Sequence, residues 1–297
     1  MKAVIEIMAV FGLATALLSG WYIYCRKTGR SFGPRIYSSN VTLGVFVFLR
    51  VLTLMTLVRA AYIGNYDHIK LCILTLLLIS MPSILERTLK IKLPTVMEVI
   101  FLCFVFAAEI LGEINHFYTL VSGWDTALHT INGFLCAAVG FALVDMLNRS
   151  SRTSLSLSPL YLAITAFCFS MTVGVLWEFF EFGMDQVFLT DTQKDFIVTA
   201  FASTRLGGGD PITVKDIVQT VITTAEGRTV VIDGYLDIGI IDTMKDLFVN
   251  FIGALSFSII GFFYVKHRGT GKIASQFIPQ VSEEGGKSNA SNSIGDH

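Results

Sequence analysis

Long apolar segments alternate with short polar connections along most of this chain. A helix needs about 20 mostly apolar residues to cross the hydrocarbon core of a bilayer. Seven segments have this length and character, with approximate bounds Ala3–Tyr24, Val41–Gly64, Ile69–Leu85, Thr95–Phe117, Trp124–Leu147, Leu160–Phe182 and Ile241–Val265. The pattern predicts an all-α polytopic membrane protein with about seven transmembrane helices.

Composition supports this class and argues against others. Hydrophobic residues make up 53% of the chain and charged residues 15%, whereas a soluble globular protein has about 25% charged residues. The 22 Lys and Arg nearly balance the 23 Asp and Glu, giving a formal net charge of -1. Without a basic excess to neutralise phosphates, nucleic acid is not an expected partner. The expected partner is the lipid bilayer.

Lysine and arginine positions predict the orientation, because short cytoplasmic loops hold these residues in excess. With seven spans, the first, third and fifth connections and the C-terminus lie on one side, and all of them contain basic residues: Arg26, Lys27, Arg30, Arg35, Arg87, Lys90, Lys92, Arg149, Arg152, Lys266, Arg268 and Lys272. The short connections on the other side hold little beyond Lys70. We expect the N-terminus outside and the C-terminus in the cytoplasm.

The predicted topology divides the chain into two parts. Residues 1–266 form the transmembrane helical domain, which includes the long extracytoplasmic loop 183–240. Within this loop, two β-branched runs flank the turn sequence Glu226-Gly227, as is typical of a small β-hairpin. Residues 267–297 are polar and rich in Gly, Ser and Asn, so we expect a disordered cytoplasmic tail.

Ionisable residues inside the predicted spans are the main indication of function. A charge within the bilayer is costly, by about 2.5–3.5 kcal/mol on insertion scales, so it needs a partner, a cavity or a role. Four spans carry acidic and histidine residues near their predicted outer ends: Glu109, Glu113, His116, Asp125, His129, Glu178, Glu181, Asp185, Asp242 and Asp246. This shared depth predicts one acidic pocket open to the outside.

Helical spacing places these residues on common faces. Positions three, four or seven apart lie on one side of an α-helix. Asp125 and His129 are four apart, and so are Asp242 and Asp246; Glu178, Glu181 and Asp185 follow the same rule. Each of the four helices therefore carries one polar stripe at one end, and the stripes are expected to face each other.

The residue types in this pocket suit a divalent cation. Carboxylates packed together cannot all stay ionised unless protons or a cation neutralise some of them. Asp, Glu and His ligands allow Mg²⁺, Mn²⁺, Zn²⁺, Ca²⁺ or Fe²⁺ as the cofactor. The candidate ligands are Glu109, Glu113, Asp125, His129, Glu178, Glu181, Asp185, Asp242 and Asp246. The candidate catalytic residues are Asp125, His129, Glu178, Glu181, Asp242 and Asp246.

A short motif occurs twice. Asp-Thr-x-Lys-Asp spans residues 191–195 in the long loop and residues 242–246 at the start of the seventh span. An Asp-Thr pair before a helical turn is typical of an N-cap. The alternative is that both copies act together around a cation or an anionic substrate.

Several of these segments resemble a known family in combination. They are Glu109-Ile-Leu-Gly-Glu113, Gly123-Trp-Asp-Thr-Ala-Leu-His129, Trp177-Glu-Phe-Phe-Glu181 and Asp242-Thr-Met-Lys-Asp246 followed by Gly253-Ala254. Between about Glu98 and Tyr264 the chain is similar to the bacterial YjdF-like family of predicted inner-membrane proteins. The resemblance implies a multi-pass protein of the bacterial cytoplasmic membrane. That family has a domain of unknown function, so the resemblance assigns no activity.

Three functions fit these observations. The first is a metal-dependent membrane enzyme acting on a lipid-linked, envelope or small anionic substrate, with the metal activating water. The second is a cation or proton transporter that uses the same carboxylates as a binding site or relay. The third is a non-catalytic envelope or partner-binding protein whose pocket stabilises the helices. The first is our leading hypothesis, and the sequence does not fix substrate, metal or oligomeric state.

Overall fold

A computed structural model describes residues 40–84, 91–149, 157–267, 276–278 and 280–281. Six helices in these ranges are long and apolar enough to span a membrane. They confirm the all-α polytopic fold and correspond to the second through seventh predicted spans. The first predicted span, Ala3–Tyr24, lies outside the described residues.

The helices follow the predicted segments closely. They are α1 (Asn40–Ile63), α2 (Tyr66–Ile79), α3 (Thr95–Phe106), the single-turn α4 (Phe117–Leu120), α5 (Trp124–Arg149), α6 (Pro159–Phe188) and α7 (Ile240–Lys266). Between α3 and α4 the chain continues as a π-helix over Ala107–Ile114. Two helix starts have side-chain caps, since Asn65 Oδ1 accepts from the His68 N–H at 3.1 Å and Ser158 Oγ accepts from the Tyr161 N–H at 3.2 Å.

The helices pack as two groups of three. In one group α1, α2 and α3 enclose a core that includes Leu52, Ile79 and Leu102. In the other group α5, α6 and α7 enclose Phe141, Leu162 and Phe257 and further small apolar residues. Phe101 of α3 packs against both cores. The two groups therefore share a continuous apolar contact through α3.

Glycines let α5 and α7 approach at backbone contact. A Cβ at Gly253 would lie 2.0 Å from the carbonyl oxygen of Thr130, and a Cβ at Gly133 would lie 2.2 Å from the carbonyl oxygen of Asn250. Small residues at such interfaces are a common means of helix association in membranes, where van der Waals packing rather than hydrophobic burial drives assembly. This close approach sets the spacing between the polar stripes of α5 and α7.

The long loop between α6 and α7 contains three antiparallel strand pairs. β2 (Ile197–Val198) pairs with β7 (Tyr235–Leu236), and β3 (Phe201–Ser203) pairs with β4 (Ile212–Val214). β5 (Thr220–Thr223) pairs with β6 (Thr229–Ile232) in the register Thr220↔Ile232. The predicted hairpin around Gly227, whose φ is +82°, is thus confirmed.

A fourth strand pair joins the chain before α3 to the C-terminal region. β1 (Ile91–Lys92) pairs antiparallel with β8 (Gln280–Val281), and the neighbouring Ile278 is only 4% exposed within the core of α5–α7. The sequence pattern places these residues in a disordered tail. The described part of that region instead packs against the helices, because Phe277 and Ile278 supply apolar side chains in an otherwise polar stretch.

Candidate functional site

Three predicted site residues converge at the end of the bundle where α5 and α7 begin and α6 ends, which we call the loop end. His129 Nε2 lies 3.5 Å from Asp125 Oδ1 and 3.7 Å from Asp246 Oδ2. Each residue offers one ligand atom, and these three atoms all lie within 4.8 Å of one another. We call this group the Asp–His–Asp cluster. Its residue types and spacing suit a divalent cation.

Two features of the fold bring the three side chains of this cluster together. Asp125 and His129 are four residues apart in the first turns of α5, so they lie on one face. Asp246 lies in the second turn of α7 and reaches them because Gly253 and Gly133 allow the two helices to touch. The side chains of Asp125, His129 and Asp246 are 35%, 15% and 5% exposed, respectively. The cluster is therefore nearly buried on the α7 side and open beside Asp125.

Two further predicted carboxylates lie buried beside the cluster. Asp242 is one turn before Asp246 on the same face of α7, and its Oδ2 accepts from the Lys194 N–H at 2.7 Å. Glu178 of α6 is 5% exposed and faces the side chains of Thr243 and Gln193. Its Oε2 is buried and has no hydrogen-bond partner among the described residues. A buried carboxylate oxygen without a partner is costly, so this site favours a bound proton or cation.

The remaining carboxylates border the open side of the cluster. Glu181 is half-buried one turn beyond Glu178, and its carboxylate interacts electrostatically with the imidazole of His129. Glu109 is half-buried and Glu113 is exposed, and both lie near Tyr118 together with Asp125. Both residues lie in the π-helical segment Ala107–Ile114. His116 lies beyond the helix, exposed and with a φ of +60°.

Tyr118, which the sequence pattern does not indicate, lies among these acids. Its ring packs against Gly112, where a Cβ would lie 2.4 Å from the ring. Burial raises the pKa of Tyr118, and four surrounding carboxylates raise it further: those of Glu113, Asp125, Glu109 and Glu181. The phenol therefore stays protonated and offers a hydrogen-bond donor to the acidic site.

The first copy of the repeated motif lies directly on the second. Residues 190–196, which we call the strap, pass from the end of α6 across the start of α7. Within the strap Gln193 Nε2 donates to Thr243 Oγ1 at 2.5 Å, beside the bond from Lys194 to Asp242. Phe196 places its ring 3.5 Å from the ammonium of Lys245. The two motif copies thus act as one unit that fixes Asp242 next to Glu178.

Asp185 holds the start of the strap and lies apart from the Asp–His–Asp cluster. Its carboxylate accepts four hydrogen bonds, at 2.7–2.8 Å, from the side chains of Thr190 and Thr192 and from the N–H groups of Thr192 and Gln193. Asp185 was a candidate metal ligand in the sequence pattern. One carboxylate oxygen of Asp185 accepts three of these hydrogen bonds, and the other oxygen accepts the fourth. The observed role of Asp185 is therefore to order the strap.

Asp237 holds the other end of the loop at the start of α7. It accepts from the N–H groups of Phe196, Ile241 and Gly239 at 2.6, 2.8 and 3.3 Å. Burial alone would raise its pKa, but these backbone bonds lower the pKa of Asp237 below its ordinary value. The ionised carboxylate is therefore favoured at neutral pH, where it also complements the positive end of the helix dipole.

We expect Asp185→Ala to detach the strap. Loss of an acceptor that serves four donors should lower the free energy of unfolding by about 2–3 kcal/mol and expose the loop to proteases. Thermal melting and limited proteolysis in detergent measure both effects. Asp191→Ala is the matched control, because Asp191 is an exposed aspartate of the same loop. Equal melting and cleavage of the two variants would contradict this role for Asp185.

Further buried polar residues lie outside the set of candidate site residues. Asn250 lies one turn below Asp246, and its Nδ2 is 3.5 Å from the carbonyl oxygen of Ser170. Glu98 and Asp145 are buried toward the opposite end of the bundle. An acidic residue within an apolar run of sequence indicates positions such as Glu98 and Asp145. The partners of Asn250, in contrast, depend on helix packing that the sequence does not show.

Comparison with known proteins identifies a family. The chain has no significant match among curated proteins or among solved structures. Residues 44–267 match the family described as "Predicted membrane protein (DUF2238)", and this range covers more than half of the chain and all the site residues above. The chain belongs to this family of membrane proteins.

Proposed function

We propose that this protein is a metal-dependent membrane enzyme whose divalent ion is bound by Asp125, His129 and Asp246. The observation that carries the proposal is the convergence of these three ligand atoms within 4.8 Å of one another. Three protein ligands are characteristic of catalytic metal sites, because they leave positions for water and substrate. The partial exposure of Asp125 provides an open side for that purpose.

The surrounding residues supply what such chemistry requires. A bound divalent ion lowers the pKa of a coordinated water and stabilises negative charge on a substrate oxygen. Glu178 and Glu181 are the candidates for the general base, since both carboxylates interact electrostatically with His129 and Glu178 has an oxygen without a partner among the described residues. The protonated Tyr118 lies among the surrounding carboxylates and can donate a hydrogen bond.

The depth of the site favours a substrate with a lipid anchor. His129 lies five residues into α5 and Asp246 six residues into α7, which is roughly 7–9 Å along each helix. At this depth the site is close to the boundary between hydrocarbon and headgroups. We propose a lipid-linked or envelope substrate with an anionic group, acted on at the outer face of a bacterial cytoplasmic membrane. The basic connections at the other end support this orientation.

Transport by the same residues is the second candidate, and one observation ranks it lower. In α5 and α7 a fully buried layer separates the cluster from Glu98 and Asp145 at the opposite end. It consists of Ala137, Ala138, Phe141, Ala254 and Phe257. A polar path for ions would need to pass this layer. The purely structural alternative does not explain the unpartnered oxygen of Glu178.

Metal analysis and lipid turnover test the proposal together. We expect protein purified without chelator to contain about one tightly bound divalent ion per chain and to convert a component of a total lipid extract. His129→Ala should lose both properties, because it removes one of three ligands. Elemental analysis measures the ion, and mass spectrometry of the extract measures conversion.

His116→Ala is the matched control, since His116 is exposed and outside the cluster. It should keep both metal and turnover. Equal metal content in the two variants would overturn the metal site. Bound metal in the wild-type protein, with no conversion of any lipid in the extract, would overturn the enzymatic proposal and favour a binding role.

A further inference from the structure

A buried amide lies directly beneath the candidate site. Asn250 of α7 is 1% exposed. Its Nδ2 lies 3.5 Å from the carbonyl oxygen of Ser170 and 3.6 Å from the sulfur of Met171, whereas its Oδ1 has no hydrogen-bond partner among the described residues. A buried acceptor without a donor destabilises a fold. The Oδ1 atom therefore indicates a donor that the described side chains do not supply.

Three helices meet at this asparagine. A Cβ at Gly133 of α5 would lie 2.2 Å from its carbonyl oxygen, and a Cβ at Gly174 of α6 would lie 2.7 Å from its Nδ2. Residues four apart lie on one face of a helix. One turn closer to the loop end on α5, α6 and α7, respectively, are His129, Glu178 and Asp246. The space on the loop-end side of the amide is therefore bordered by site residues.

The opposite side of the amide is apolar. One turn further into the bundle, Ala137 of α5 and Ala254 of α7 are both 0% exposed. The hydroxyl of Ser170 donates its hydrogen to the carbonyl oxygen of Gly133 at 2.8 Å, so it does not serve Asn250. The missing donor is therefore expected on the loop-end side.

A second unpartnered oxygen borders the same space. Glu178 is 5% exposed, and its Oε2 is buried without a hydrogen-bond partner in the described part of the chain. Glu178 is one turn from Gly174, and Cβ atoms at this spacing are about 5–6 Å apart. Buried waters typically bond to polar groups that otherwise have no partner. One water molecule has two hydrogens, which matches the two acceptors.

We propose that a water molecule bound by Asn250 Oδ1 and Glu178 Oε2 is the water consumed in the reaction at the Asp–His–Asp cluster. This inference rests on the function proposed above, and it assigns Glu178, rather than Glu181, as the general base and Asn250 as a positioning residue. The water donates one hydrogen to each oxygen, so its lone pairs remain available to the cluster. In a hydrolysis, the water oxygen bonds to the electrophilic atom of the substrate and its proton passes to Glu178. The leaving group departs with its bonding electrons and then takes that proton.

A double-mutant cycle tests whether the two residues share a water. Asn250→Leu and Glu178→Leu each remove one of the two acceptors. The second substitution then removes a group that has already lost its bridged partner. The fall in thermal midpoint of the double variant should therefore be smaller than the sum of the two single shifts by about 2–6 °C. Melting curves in detergent with chelator present measure these shifts without a contribution from bound ions.

Asn250→Leu combined with Ser258→Ala is the control cycle. Ser258 is also buried in α7, eight residues further along, which is about 12 Å away. The shifts of this pair should add. Additive shifts in both cycles would overturn the shared water. Asn250→Ala replaces Asn250→Leu in both cycles if the leucine variant does not fold.

Steady-state kinetics test the role of this water. Asn250→Leu should lower the maximal rate of lipid conversion about 10–100-fold, because the water is no longer oriented. The half-saturating lipid concentration and the metal content should not change, since Asn250 is assigned contact with neither lipid nor ion. Ser258→Ala is the control and should keep the wild-type rate.

Two outcomes separate this inference from the proposed function. An unchanged maximal rate in Asn250→Leu would overturn the positioning role. A wild-type protein that converts no lipid would overturn the enzymatic function and the positioning role with it, whereas the melting cycle would still decide whether the two residues share a water.

Discussion

Gly253→Ala is expected to lower the free energy of unfolding by about 3 kcal/mol, the upper part of the range for overpacked sites. The added Cβ would lie 2.0 Å from the Thr130 carbonyl oxygen and 2.9 Å from the Phe134 nitrogen. These are backbone atoms, so no side-chain rotation relieves the clash and α5 and α7 must move apart. The thermal midpoint should fall by roughly 6–12 °C, which a melting curve in detergent measures.

The same substitution should also weaken the candidate site. Asp246 on α7 reaches His129 on α5 only because the two helices touch near Gly253. Separation of the helices lengthens that distance and reduces affinity for a divalent ion. Gly44→Ala in α1 is the matched control, because no described residue lies within 4 Å of a Cβ there. Equal melting of the two variants would contradict the packing described between α5 and α7.

Divalent cations are expected to stabilise the metal-free protein strongly. A ligand at 100 times its dissociation constant contributes about 2.7 kcal/mol when it binds only the folded state. Titration of chelated protein with Mn²⁺, Mg²⁺ or Zn²⁺ should therefore raise the melting temperature in a saturable way. The effect should be absent in Asp246→Asn, which removes the least exposed ligand of the cluster.

The repeated motif supplies a matched control for this measurement. Asp195 is the fifth residue of the first copy, as Asp246 is of the second, but Asp195 is exposed in the strap. Asp195→Asn should keep the full response to cations. A wild-type response in Asp246→Asn would contradict the proposed coordination, and a loss of response in both variants would indicate a general charge effect.

Periodicity and charge placement predict most of the architecture. Apolar length alone located all six candidate membrane spans of the described part of the chain, because a bilayer imposes a minimum length on a spanning helix. The hairpin β5–β6 followed from β-branched runs on either side of Gly227. Helical spacing also placed Asp125 and His129 on one face, and their depth matched that of Asp246.

Features that depend on distant contacts could not be predicted. The spacing of Glu109 and Glu113 assumes an α-helix, whereas the backbone there is π-helical. The sixth helix continues to Phe188, and the role of Asp185 depends on residues 190–193 folding back onto it. Packing of Phe277 against Phe134 likewise joins residues far apart in the chain.

The pairing of β2 with β7 divides the long loop into a base and a replaceable outer part. The strap and Asp237 lie on the helix side of this strand pair. Residues 199–234 lie on its other side, and both of their ends are held together by the pairing. Because the ends of this segment are already paired, a change in its length has only a small effect on the conformational entropy lost on folding. A change in the length of residues 199–234 is therefore expected to alter the surface of the loop while the arrangement at the helix ends stays the same.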